Sequence, residues 1–207
     1  MIRECCKFYI YECFVYLFRK LNVMHNHRTK ERQMITTTIL KKENIENRAD
    51  FKKADEVFRE LVKFMKINEI QEKLESAHQL YAKSGEIQEI ILDKTKELGF
   101  SSEKNGLFNN QTVKQLRPDY YLDLKNNSGI IMEVERGKTL ANNMDLLDLW
   151  KCHICENANF LFLIIPNFRQ TARGQKNIIF ETVVRRMKTF FDTKNYTNVD
   201  GVFIIGY

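Results

Sequence analysis

A chain of 207 residues, 43% of them hydrophobic and 29% charged, is long enough and apolar enough to bury the core of one soluble domain, with or without an appendage. Five cysteines without framework spacing exclude a disulfide scaffold and point to a reducing, intracellular compartment, cytoplasmic or nucleoid-associated. The formal charge of +6 hints at a polyanionic partner, and its distribution says more: +4 over residues 1–34, −2 over 35–135 and +4 over 136–207.

The first residues carry an apolar run from Phe8 to Phe18 that Glu12 interrupts. It is too short to span a bilayer and no small-residue cleavage site follows, so no membrane partner is expected. Residues 1–47 are read as a tail of open status: a surface-lying amphipathic segment, a packed helix, or an extension upstream of a start at Met34. Residues 48–74 form an N-terminal helical region, in which Phe51, Ala54, Phe58, Leu61, Val62 and Met65 recur at spacings of three and four. A second helical stretch spans about Ile70 to Leu98 with a break near Ser84-Gly85. Its apolar stripe is Ile87, Ile90, Ile91 and Leu98, flanked by Glu86, Glu89 and Asp93, and Gly99 is the stop.

The period then changes. Residues 119–124 and 130–136 read as strands joined by the Asn/Gly turn KNNSG. A helix is predicted over 142–155, with Asn142 or Asn143 as N-cap and Leu146, Leu149 and Trp150 as core contacts. Cys152 and Cys155 fall in it as a CxxC without a second pair, which favours buried thiols over zinc. The continuous run FLFLIIP marks a central strand buried on both faces. A further helix is predicted over 176–191 with Ile179, Val183, Met187 and Phe190 inward, and VDGVFIIGY closes the chain as a buried strand. The order predicts an α/β fold, a sandwich around a central mixed β-sheet flanked by helices.

Three carboxylates stand out in the hairpin. Glu133 and Glu135 share a strand face, while Ile130, Met132 and Val134 point to the core. A loop of three or four residues centred near Asn127 sets paired positions to sum to about 254, give or take one, so Asp119 is expected opposite 134 to 136 and all three acids converge. Three clustered negative charges raise one another's pKa unless a positive charge sits among them. Mg²⁺, or Mn²⁺, meets that need with one or two carboxylates, several waters and positions left for a substrate phosphate. A solvated strand face with incidental acids is the competing reading.

Pro118-Asp119, a thirteen-residue gap and Glu133-Val134-Glu135 resemble the PD-(D/E)XK nuclease superfamily, whose motif occupies a β-hairpin. The resemblance covers residues 75–207 and implies a restriction endonuclease-like core with Mg²⁺-dependent hydrolysis of DNA phosphodiester bonds, of type II restriction or repair type. It implies that Asp119 and Glu133 hold the metal, that Glu135 orients or deprotonates the attacking water, and that Glu86 or Glu89 completes the acidic pocket. For those last two residues, a helix-terminal or solvated role stands beside the functional one. The chain departs from the pattern at the usual lysine, where it has Glu135; a Glu-x-Glu site and a Lys138 bent back past Gly137 are the two readings of that departure.

Candidate DNA-backbone contacts are Arg136 and Lys138 after the site strand, Lys151 on the following helix, and Arg169 and Arg173, with Lys176, around the polar loop NFRQTARGQKN. His153 reads as a packed or surface residue. A homodimer fits a chain of this size that cuts both strands. The alternative is a non-catalytic nucleic-acid-binding or interaction protein on the same scaffold.

Overall fold

A computed structural model describes residues 35–79, 84–102, 117–170 and 174–207. Strand β1 (Thr36–Lys41) is followed by helices α1 (Ala49–Met65), α2 (Asn68–Ala77) and α3 (Ser84–Glu97). A short β2 (Ser101–Ser102) precedes the hairpin of β3 (Tyr120–Lys125) and β4 (Ser128–Val134). Helix α4 (Met144–Ile154) leads to β5 (Phe160–Ile165), a ribbon of β6 (Phe168–Gln170) and β7 (Lys176–Ile178), helix α5 (Phe180–Lys188) with a 3-10 turn (Thr189–Phe191), and β8 (Gly201–Gly206).

Six strands form one mixed sheet in the order β1-β8-β5-β4-β3-β2. The three central strands, β4, β5 and β8, run parallel, and β1 and β3 pair antiparallel on either side. Parallel neighbours need crossovers, and α4 and the β6–α5 segment supply them. The chain is therefore an α/β sandwich: a central mixed sheet with helices on both faces. Against one face pack Phe51, Phe58, Leu61, Leu74, Ile87 and Ile91 of α1, α2 and α3, meeting Ile130, Met132, Phe160, Phe162 and Phe203. Against the other pack Leu149 and Cys152 of α4 and Val183 and Met187 of α5, meeting Ile131, Leu161, Leu163, Val202 and Ile204.

Several sequence expectations shift. Part of the expected tail belongs to the sheet, because Thr36–Lys41 pairs along the whole of β8, from Thr36 opposite Gly206 to Lys41 opposite Gly201. The helix expected from residue 176 starts at Phe180; residues 176–178 instead form a ribbon with 168–170, and the ammonium of Lys176 lies 4.4 Å from the Phe168 ring centroid. Trp150, expected in the core, is 56% exposed. The face α4 turns to the sheet is Asp145, Asp148, Leu149 and Cys152, so two aspartates take positions where an apolar stripe is normally read.

The hairpin turn explains the remaining correction. Asn126 and Asn127 both have positive φ (54° and 57°), the backbone of a two-residue turn whose twist suits the flanking strands. Lys125, also at positive φ (73°), lies at a register shift beside Asp123, whose carboxylate accepts its N–H at 2.7 Å. With a tighter loop than expected, Tyr120 pairs with Met132. Continued outward, that register sets Asp119 opposite Glu133 rather than 134 to 136.

Phe203 is fully buried and its ring meets those of Phe51, Phe58, Phe160 and Phe162 at centroid distances of 4.9 to 6.2 Å. Phe203→Ala is expected to lower the stability of the fold by about 3–5 kcal/mol in a denaturant titration, because the surrounding rings cannot close the cavity.

Candidate active site

Strand β4 ends where the sheet meets α4, and there Glu133 of the strand and Asp148 of the helix flank the Lys151 ammonium, with Asp119, Glu135 and Asp145 near enough to act on the pair or on one another by charge. Asp119 and Glu133 are tied by the hairpin itself. The Asp119 N–H donates to Oε2 of Glu133 at 3.3 Å, and the Val134 N–H donates to Oδ2 of Asp119 at 2.8 Å. Because α4 and α5 cover the side of β4 on which Ile131 lies, the Glu133 side chain is interior, with 3% of the residue exposed. The sequence offers Ile130, Met132 and Val134 as the only core face; both faces of β4 are in fact buried.

Lys151 enters from the helix. Its Nζ donates to Oε1 of Glu133 at 2.8 Å and to Oδ1 of Asp148 at 3.0 Å. Asp148 is fully buried, and its Oδ2 has no hydrogen-bond partner. Asp145, also fully buried, lies 3.3 Å from Nε of Arg186. Leaving a buried oxygen of this kind unpaired costs about 1–3 kcal/mol, a cost that core positions chosen for packing alone avoid.

Charge follows from the arrangement. Burial, then the negative charge of Asp148, pushes Glu133 well above the usual carboxylate range, against the pull of Lys151. Burial, then Asp148 and Asp119, raises Glu135 to about 7. Burial raises Asp148 to about 6, with Lys151 opposing and Asp119 and Asp145 adding to the rise. Burial alone would lower Lys151, but the charges of Glu133 and Asp148 outweigh it and hold the ammonium protonated. One ammonium cannot balance several buried carboxylates, so the lysine stays charged while the acids are pushed toward neutrality.

The expected contacts divide. Asp119 and Glu133 meet through the hairpin, Glu135 lies near enough to feel the charge of Asp119, and Lys151 pairs with Glu133 and Asp148 rather than standing as a free phosphate contact. Glu86 and Glu89 are exposed on α3, whose buried stripe of Ile87 and Ile91 packs on the opposite face of the sheet, and neither is among the leading charges acting on the cluster. Arg136 turns away, toward His78 and Tyr207, with its Nε buried and lacking a hydrogen-bond partner. Lys138 is exposed, and Arg169 donates to the Gly137 carbonyl just past the site strand. Arg173 lies outside the described residues. His153 accepts the Asn198 N–H at 3.0 Å and so anchors the segment that enters β8. Cys152 and Cys155 are both buried, with burial raising both thiols.

The hairpin motif does not point to Asp145 and Asp148, although their signal is there: they occupy the inward positions of an otherwise apolar helical stripe. Among the described residues no group of three or more His, Cys, Asp or Glu side chains is already set to hold a metal ion, and no helix is long and apolar enough to cross a membrane. The donor set nevertheless suits Mg²⁺, which takes one or two carboxylates and keeps its waters. Asp119 and Glu133 supply that pair, and the unpartnered Oδ2 of Asp148 marks a local excess of acceptor over donor. Comparison with protein-family models, with curated proteins and with solved structures finds no match to this chain.

A raised carboxyl pKa gives the sign of a pH effect. Glu135 moves from 4.5 to about 7 on folding, so the stability it lends is complete below its unfolded pKa and is lost as pH rises through 7. In metal-free buffer Glu135→Gln is expected to flatten the fall in melting temperature between pH 5 and pH 8, read by thermal denaturation across that range. Lys151→Met, which strands two buried carboxylates, is expected to cost about 3–5 kcal/mol near pH 8 by denaturant titration.

Proposed function

We propose that the chain is a Mg²⁺-dependent endonuclease that hydrolyses DNA phosphodiester bonds, a variant of the PD-(D/E)XK type acting in restriction or repair within a reducing compartment. The observation that carries the reading is the hairpin bond between Asp119 and Glu133, which joins the two motif acids at the end of β4 inside a cluster with more carboxylates than cations. In open α/β sheets, ligands gather at the carboxyl ends of the parallel strands, where this cluster lies.

Asp119 and Glu133 would hold Mg²⁺, which would supply an acidified water and offset charge on the scissile phosphate. The chain's own residues do the rest. Glu135, half-buried beside the cluster, orients the water and accepts its proton. Lys151 supplies from α4 the ammonium that the hairpin lacks at position 135, which removes the need for Lys138 to bend back. Lys138 and Arg169, exposed beyond the strand, are placed for phosphate contacts that grip DNA without reading its sequence. Burial of Glu133 and partial burial of Asp119 keep the field at the phosphate strong.

One observation favours the second reading, a nucleic-acid-binding or interaction scaffold without catalysis: both oxygens of Glu133 are already engaged, by Lys151 and by the Asp119 N–H. Incubating plasmid and genomic DNA with Mg²⁺, Mn²⁺ or EDTA separates the two. Cleavage is expected with either metal and none with EDTA, and Asp119→Ala and Glu133→Ala are each expected to lose more than about a hundredfold in rate. Salt-sensitive DNA binding by a folded protein that never cuts would establish the scaffold instead. Sedimentation with and without DNA then tests for the homodimer.

A further inference from the structure

Resting on the nuclease reading, we propose that Asp148 is a ligand of the divalent cation in addition to Asp119 and Glu133, and that the ion enters by replacing the Lys151 ammonium between Glu133 and Asp148.

Three observations carry this. Asp148 is fully buried, yet one of its oxygens, Oδ2, has no hydrogen-bond partner, while the other accepts from Lys151 at 3.0 Å. A buried carboxylate built only to pair with a lysine would have its second oxygen satisfied by a backbone or side-chain donor. Secondly, the Lys151 Nζ that Asp148 accepts from is also 2.8 Å from Glu133, so the helix acid and the strand acid already flank a cation between them. That cation is a single charge, and a divalent ion would balance both carboxylates. Thirdly, the resident cation has a way out. The Lys151 side chain is 21% exposed and flexible, so its ammonium can withdraw to solvent, or to a bound phosphate, without moving α4.

Asp145 is ion-paired with Arg186 at 3.3 Å, although neither of its oxygens accepts a hydrogen bond, and Glu135 keeps partial contact with solvent. Neither acid is assigned to the ion. The ammonium occupies the place between Glu133 and Asp148 that the ion would take, and among the described residues no group of three such side chains is set in advance to hold a metal ion.

Mn²⁺ is the probe, titrated by electron paramagnetic resonance into the full chain without DNA, with folding of each variant checked by its thermal melt. Asp148→Asn is expected to weaken Mn²⁺ binding by at least about tenfold, as Asp119→Asn does, because each removes one ligand charge. Lys151→Gln, which removes the competing cation, is expected to bind Mn²⁺ more tightly than the wild type. Electron–nuclear double resonance on wild-type protein labelled with ¹³C at its aspartate carboxyls needs no variant, and is expected to count two aspartate ligands. Unchanged affinity in a folded Asp148→Asn, or a single coupled aspartate, would overturn the assignment of Asp148 and leave the nuclease reading to the Asp119 and Glu133 variants. Weaker binding by a folded Lys151→Gln would overturn the exchange. Absence of any Mn²⁺ binding by the wild type would sink this proposal and the metal-dependent reading together.

Discussion

The ammonium of Lys151, held between Glu133 and Asp148, is what allows a strand and a helix to be packed with acids facing each other. Without it, two carboxylates would be enclosed in the apolar layer between sheet and α4, and the desolvation of each would oppose folding. With it, the layer closes, but the compensation is partial. Arg186 serves Asp145, Lys151 serves Glu133 and Asp148, and the remaining negative charge is relieved by raised proton affinity. A site in this condition is poised to take up positive charge, and the chemistry proposed for the protein follows from that imbalance.

The other end of the same sheet shows what a balanced network looks like. Where β8 begins, Asp200 accepts from Lys42 at 3.0 Å and from Arg48 at 2.6 Å. Arg48 also donates to Asp50, which accepts in turn from the Ser128 hydroxyl at 3.0 Å at the start of β4. There two cations meet two acids, in a half-buried lattice that joins the strand starts to α1. The two ends of the parallel strands thus differ in charge balance rather than in density of polar groups. The unbalanced end is the carboxyl end, where open α/β folds place their chemistry.

Topology gives the imbalance its position. β4 lies between β3 and β5 with helices on both faces, so its register is held from both sides and the Glu133 side chain is enclosed on the α4 side of the sheet. The two-residue turn at Asn126-Asn127 fixes the register that brings Asp119 to Glu133, and the Tyr207 hydroxyl, donating to the Glu135 carbonyl at 2.9 Å, ties the end of β4 to the chain beyond β8. The motif acids are therefore set by rigid strands, and the acids of α4 by a helix packed through Leu149 and Cys152.

Much of this was legible in the sequence, because period and composition are local properties. The apolar spacing of 50–66, the unbroken runs at 160–165 and 201–206 and the Asn/Gly turn gave the helices, the buried strands and the hairpin, and the spacing of Asp119, Glu133 and Glu135 gave the convergence of three acids. What the sequence left open depended on contacts between distant segments. Thr36–Lys41 carries no strong pattern of its own and becomes a strand because β8 offers it a full ladder. Trp150 fits an apolar stripe by spacing, but α4 turns Asp145 and Asp148 to the sheet beside Leu149 and Cys152, which leaves Trp150 outside. No spacing rule links Lys151 to Glu133, eighteen residues away. The residue types and their order determined an α/β sandwich with an acidic hairpin; only the packing of α4 against β4 decided which lysine answers those acids, since the pairing of buried charges is settled by the layer that excludes water from them.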